Sequence, residues 1–307
     1  MNCSRCNPDS APVADADSRS EAATVPVWRL LITGPASGAQ NMAVDEALLE
    51  SAIAGGPPVL RIYAWQPAAV SLGYFQPLDD SIDREEIARR GFGLVRRPTG
   101  GRAILHKDEV TYSVAAREEH LSGGSSLMGS YRTISRGIET GLQLLGVAAQ
   151  MAERSGQARE QHRSSLPTVC FTQSAKVDMV ADGRKIVGSA QTRRGGALLQ
   201  HGSIPISIDE GEHLAVMPGG QTERARQSGE GQLSKSACGI ADILGRVPEF
   251  DEVARALAAG FAEALQVELR PSHLSETEQN AIERLLADRY ANEAWIARAG
   301  SRTRAAD

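Results

Sequence analysis

The chain has few cysteines, no long apolar runs and no excess of positive charge, and each shortage removes a class of protein. Four cysteines among 307 residues do not make a disulfide framework, and they fit a reducing cytoplasm. Cys3 and Cys6 form a CxxC pair. No second pair or histidine cluster accompanies it, so the ligand set of a metal site is incomplete and the pair reads as incidental thiols. No apolar run approaches the roughly 20 residues that span a bilayer, which excludes a membrane-spanning helix. Met1 to Thr24 lacks the apolar core of a signal peptide and has little to bury; residues 1–25 read as a disordered leader. A formal net charge of −5 argues against a general nucleic-acid binder. There is no P-loop, no GxGxxG after a strand, no internal repeat and no obvious linker.

What is present is ordinary globular composition, 41% apolar and 23% charged, in a chain long enough to bury a substantial core. Val27–Thr33, Val59–Trp65, Ala69–Phe75 and Phe92–Arg97 read as strands. A helix is predicted over Asn41–Ala54, with Val44, Leu48 and Ile53 near one face and Asp45 and Glu46 outside it. Asp79–Arg90 reads as a second helix. Ala103–His106 and Val110–Val114 look like the two arms of a hairpin. Tyr131, Ile134, Ile138, Leu142 and Leu145 recur at helical spacing, as do Phe250, Val253, Leu257, Phe261 and Leu265. Ser275 with Glu278 makes a capping box for a last helix. Glu153–Ser165 and Pro218–Ser236 are polar and read as loops. The economical reading is one α+β domain over 26–298 with a short tail, 299–307.

The stretch from Pro167 to Ile206 carries the candidate chemistry. Val177 and Met179 alternate with polar residues up to Asp182-Gly183, a dipeptide suited to the positive φ angles of a two-residue hairpin. The next strand sets Lys185, Val187 and Ser189 on one face and Ile186, Gly188 and Ala190 on the other. Gly195-Gly196 offers a further turn into a third strand, Ala197–Ile206. Cys170, just before this meander, is either a nucleophile or a small buried hydrophobe. Lys185 matters if it turns inward, where its ammonium would favour a thiolate and polarise a carbonyl; otherwise it is a solvated strand residue. Cys238 sits in a polar loop with no partner signal. Arg96-Arg97-Pro98-Thr99-Gly100-Gly101-Arg102 joins two strands through two glycines. Backbone N–H groups with arginines beside them suit an anionic or carbonyl-bearing ligand, and a solvated surface turn is the alternative. His106 and His201 are each a base, a positioning donor or a satisfied core histidine.

Taken in order, Asn41-Met42-Ala43-Val44-Asp45-Glu46-Ala47-Leu48, Arg96 to His106, Cys170-Phe171, Gly183 to Gln191, Gln200-His201-Gly202-Ser203-Ile204 and Arg289-Tyr290 with Trp295 resemble the lipoate–biotin protein ligase and transferase family. Within it the resemblance is to the cysteine-dependent, lipoate-ligase-like octanoyltransferases and their octanoyl amidotransferase paralogues. It spans about Trp28 to Arg298.

That resemblance implies an α+β fold with a mixed, largely antiparallel sheet flanked by helices. It implies that Cys170 is the acyl-accepting thiol and Lys185 the lysine at the acyl carbonyl. Arg97, Thr99, Gly100, Gly101, His106, Gly188, Ala190 and His201 would line the acyl pocket. The expected reaction moves an octanoyl group from an acyl carrier protein to the lysine of a lipoyl-type domain, such as a glycine-cleavage H protein or an E2 subunit. It needs no cofactor and no metal, and runs in the cytoplasm. Arg102 stands where ATP-dependent lipoate ligases commonly have a third glycine, and the chain ends soon after Trp295, without room for their small C-terminal domain. The competing expectations are an ATP-dependent lipoate–protein ligase and an inactive binder of acylated carriers.

Overall fold

The computed structural model describes residues 25–153, 177–218 and 232–298. The expected leader, the loop expected before Cys170, Cys170 itself, Cys3, Cys6 and the tail from 299 lie outside these residues.

The largest element is an eight-stranded sheet in the order β11-β1-β2-β6-β10-β9-β8-β7. Its strands are β1 (Val27–Ala36), β2 (Val59–Trp65), β6 (Glu109–Arg117), β7 (Gln150–Glu153), β8 (Val177–Ala181), β9 (Arg184–Arg194), β10 (Ala197–Pro205) and β11 (Glu268–Pro271). β1 runs parallel to β2 and β11, and every other pairing is antiparallel. This is the mixed, mostly antiparallel α+β architecture expected. A second sheet of three short strands, β4-β3-β5, comprises β3 (Ala69–Leu72), β4 (Gly93–Arg96) and β5 (Ile104–His106).

Both faces of the large sheet are covered. On one, α3 (Leu127–Leu144) and the helix Phe250–Leu265 pack Ile138, Leu142, Leu257 and Phe261 on Leu60, Ile62, Val114 and Leu198. On the other, α1 (Gly38–Ile53) and the helix Glu276–Leu285 set Leu48, Leu49 and Leu285 against Val59, Ala115 and Leu199. Alternate residues of β2, β6 and β10 thus feed two cores, which is why these strands carry almost no solvent-facing position.

The turns follow from local chemistry. Asp182 and Gly183 have φ of 49° and 70°, the doubly positive pair that a two-residue turn with the right twist requires, and the β8–β9 hairpin forms there as expected. Ser275 and Glu278 exchange both bonds of the capping box, at 3.2 and 2.8 Å.

Five readings need correction, the first being that Gln232–Ser236, the end of the segment read as a loop, is a short helix. Residues 104–106 and 110–114 are not hairpin arms: β5 pairs with β3, while β6 pairs with β2 and β10. Buried on both faces and bonded on both edges, β6 has no free edge for β5. The strand at Ala69 stops at Leu72, because Gly73 passes against the Gly100-Gly101 turn; a Cβ there would stand 1.9 Å from the Gly101 carbonyl oxygen. The second helix is only α2 (Arg84–Arg89). Asp79 accepts from Ser81 N–H at 3.0 Å and holds a turn, and Asp83 then caps the helix. Finally, Asp45 and Glu46 are buried. α1 lies between the large sheet, the small sheet and the C-terminal helices, and a helix covered on all sides has no polar face to offer.

Candidate functional site

Strand register builds a cleft on the α1 face of the large sheet. Tyr63, Thr111, Ser203 and Gly188 stand side by side across β2, β6, β10 and β9; Arg61, Ser113, His201 and Ala190 form the next row. Met42 of α1 and Arg97, Ile104 and His106 of the small-sheet side line it as well. The cleft and the solvent space at its mouth together measure about 400 Å³. Ser189, between Gly188 and Ala190 on β9, also lines the cleft and meets the Tyr112 hydroxyl at 2.7 Å.

One wall is held by Asp45. Its Oδ1 accepts from Arg61 at 2.7 Å and from Ser113 at 2.8 Å; its Oδ2 accepts from the Tyr63 hydroxyl at 2.8 Å and from His201 Nδ1 at 2.9 Å. Burial alone would raise the Asp45 carboxyl. The bond from His201 and the Arg61 guanidinium outweigh it and hold Asp45 below the ordinary carboxylate range. Burial pushes the His201 imidazole down, with the Asp45 carboxylate opposing, so the neutral ring carries its proton on Nδ1. Its Nε2, 2.6 Å from Thr99 Oγ1, then accepts the threonine hydroxyl. Tyr63 is pushed well above its usual range, by burial first and by Asp45 second, and stays a donor.

The Gly100-Gly101 turn is held by Arg97. Its Nε and Nη2 donate to Gly100 O at 3.2 and 2.7 Å, Nη2 also to Arg102 O at 2.8 Å, and Nη1 to Ser71 O and Oγ at 2.9 and 3.1 Å. Arg96, 0% exposed, donates to the carbonyls of Gly73, Gln76 and Ile296. The sequence suggests guanidinium groups offered to a ligand; in the structure Arg96 and Arg97 serve the chain's own carbonyls.

Lys185 is buried on β9, 3.1 Å from Asp178 Oδ1. The carboxylate offsets the cost of taking an ammonium out of water. The Lys185 carbonyl accepts from Cys238 N–H at 3.0 Å, which fixes its backbone. Cys238 is core rather than loop: 0% exposed, its thiol is raised by burial to about 11, and it is inert as a nucleophile at neutral pH.

The structure therefore brings Arg97, His106, Gly188, Ala190 and His201 together in one cleft, with Thr99 behind His201 and Gly100 on Arg97. Gly101 packs on Gly73. Lys185 precedes Gly188 on the same strand and is not itself a lining residue. The position of Cys170 lies outside the described residues. Sequence reasoning missed Asp45, Arg61, Ser71 and Glu109. A signal existed for two of them: an acid within the apolar stretch Met42–Leu49 and a lone arginine in Val59–Trp65 are opposite charges that burial must pair.

The comparisons agree with this architecture. A family model described as the lipoyl protein ligase A/B catalytic domain matches residues 37–262. Octanoyltransferase LipM of Moorella thermoacetica is 42% identical over 274 residues, covering 88% of this chain and 98% of the relative. Octanoyltransferase LipM of Bacillus subtilis is 39% identical over 275 residues, covering 87% and 97%. Among solved structures, lipoate-protein ligase A bound with ATP superposes with a TM-score of 0.71 at 26% identity, over 88% of this chain and 98% of that one. A bipartite lipoate protein ligase from Thermoplasma acidophilum superposes with a TM-score of 0.74 at 24% identity, covering 92% and 100%, a likeness of fold. With the family model spanning most of the described sheet and its cleft, the chain belongs to the lipoyl protein ligase A/B catalytic domain family.

Proposed function

We propose that this chain is an octanoyltransferase of protein lipoylation, working through an acyl-enzyme on Cys170. The observation that carries the reading is identity near 40% with octanoyltransferases along almost their whole length. The cleft supports it, since its apolar wall of Met42, Tyr63, Trp65 and Ile104 suits an acyl chain.

In this scheme the Cys170 thiolate attacks the carbonyl carbon of an octanoyl thioester on a carrier protein. The carbon–sulfur bond to the carrier breaks, the carrier thiol leaves with a proton, and octanoyl-Cys170 remains. The amine of a lysine on a lipoyl-type domain then attacks the same carbon. An amide forms, the Cys170 sulfur departs, and the amine proton passes to solvent or to the thiolate. Exchange of one thioester for another is near balance and amide formation runs downhill, so no nucleotide enters. Lys185 acts on the charge that develops on the carbonyl oxygen, in a site where low polarity magnifies one fixed cation. Arg97, Thr99, Gly100, Gly101, His106, Gly188, Ala190 and His201 shape the acyl slot. The donor is an octanoylated acyl carrier protein, the acceptor a glycine-cleavage H protein or an E2 domain, and the setting the cytoplasm.

The test is an intact mass measurement after incubation with octanoyl-carrier. A covalent octanoyl adduct that vanishes in Cys170→Ala and passes to an added lipoyl domain is expected. Turnover of free octanoate only when ATP is supplied would replace this reading with a ligase, and binding without adduct or turnover would replace it with a carrier-binding protein.

A further inference from the structure

Glu109 opens β6 and takes no part in the scheme above. Its side chain is 2% exposed and both oxygens are engaged. Oε1 accepts from His106 Nδ1 at 2.8 Å and from the Thr111 hydroxyl; Oε2 accepts from the Ser203 hydroxyl. The three donors sit on three strands: His106 on β5 of the small sheet, Thr111 on β6 and Ser203 on β10 of the large one. All three line the cleft. One carboxylate is thus the common anchor of the cleft's two sides.

The ring closes through Trp65. Its indole lies flat on the His106 imidazole, with centroids 3.9 Å apart and planes at 9°, and donates Nε1–H to Thr111 Oγ1 at 2.8 Å. Beyond His106 the relay continues. Nε2 meets Ser71 Oγ at 2.8 Å, and the same oxygen accepts from Arg97 at 3.1 Å. A carboxylate only accepts, so the His106 proton stands on Nδ1.

We infer that Glu109 is a positioning residue for acyl transfer: by tying β5 to β6 and β10 it fixes the bore of the cleft, and so the length of acyl chain that the enzyme prefers. The inference rests on the acyl-transfer reading. Its physical basis is that a closed, fully satisfied polar ring has one geometry, whereas a ring missing one acceptor relaxes. A slot whose walls relax fits neighbouring chain lengths nearly as well as the right one.

Wild type and Glu109→Gln are compared with hexanoyl, octanoyl and decanoyl thioesters of one carrier, with folding followed by circular dichroism. The amide cannot accept at both oxygens' positions, and kcat/KM for octanoyl is expected to fall roughly 10- to 100-fold, the loss of one or two hydrogen bonds to a charged group. The preference for octanoyl over the other two should flatten towards one. Ser203→Ala, which removes a single donor, should move the ratios less and in the same direction. A uniform fall at all three lengths with wild-type ratios would overturn the inference and leave octanoyl transfer standing. Wild-type protein that transfers none of the three would overturn both. Nitrogen NMR of the wild-type imidazoles keeps the question answerable where Glu109→Gln does not fold: His106 protonated at Nδ1 supports the relay, and a proton on Nε2 alone ends it.

Discussion

Replacing Asp45 by asparagine preserves the shape of the side chain and removes the charge that Arg61 meets at 2.7 Å, in a pair exposed by only 1% and 0%. Four donors converge on that carboxylate, and an amide can serve those at one oxygen while presenting N–H groups to the others. Arg61 keeps its bonds to Asn41 O and Oδ1 and to Thr33 but loses its counter-charge. Breaking a buried pair on one side costs about 3–5 kcal/mol, a large part of the 5–15 kcal/mol, roughly, that holds a folded protein together. At about 2–4 °C per kcal/mol for a chain of this size, the thermal midpoint should drop by about 10 °C. The assay is denaturant unfolding of Asp45→Asn, Arg61→Met and the pair Asp45→Asn with Arg61→Met. The double variant should lose much less than the two singles summed, since it leaves no charge stranded. A loss under about 1 kcal/mol in Asp45→Asn, or singles that simply add, would refute the account of this wall.

Three further outcomes follow from the same geometry. Burial holds the imidazoles of His201 and His213 below the ordinary value of 6.5. A depressed histidine contributes stability that is complete above the unfolded value and is lost as pH falls below it, because the unfolded chain takes up the proton first. Stability should therefore decline below pH 6.5 by up to about 1.4 kcal/mol per pH unit for each histidine; a His201→Gln variant with an undiminished slope would contradict this. Gly73→Ala should cost about 1–3 kcal/mol or more and slow adduct formation, since its methyl meets the Gly101 carbonyl; unchanged unfolding midpoints would show that the turn yields freely. Thr111→Val makes the cleft more apolar, yet it strands the Trp65 N–H and removes a donor from Glu109. It should weaken octanoyl turnover and cost about 1–3 kcal/mol, and a gain in kcat/KM would show that the hydroxyl is dispensable.

Much of the frame was legible because it is written locally. The Asp182-Gly183 turn and the Ser275–Glu278 box each depend on a few adjacent residues, whereas the simple alternation read along β9 is broken, with Gly188, Ser189 and Ala190 all lining the cleft. The misread parts depend on residues far apart in the chain. Helical spacing placed Asp45 on a solvent face because period alone knows only one apolar stripe. Its partners His201 and Ser113 lie 156 and 68 residues away, and no local pattern announces them. The same holds for Glu109, whose bond to Ser203 spans 94 residues. The arginines at 96 and 97 read as ligand-facing because Gly-Gly turns leave N–H groups exposed; in the fold their carbonyls needed donors first. The gathering of Arg97, His106, Gly188, Ala190 and His201 in one cleft was expected from the family resemblance, not from spacing.

A largely apolar cleft lined by two histidines, a threonine and two serines looks like a contradiction, and the bonding resolves it. His201 has both nitrogens engaged, by Asp45 and Thr99; His106 likewise, by Glu109 and Ser71; Thr111 and Ser203 direct their hydroxyl protons at Glu109. With their polar atoms turned into the walls, these residues offer ring and methylene carbon to the slot. An all-apolar lining would bury as much surface, but dispersion and area are non-directional and leave the two sheets free to slide. Hydrogen bonds to two buried carboxylates fix distances, and the cost of burying those charges is met by Arg61 at one and by three donors at the other. The walls are therefore rigid for an electrostatic reason and greasy for a geometric one.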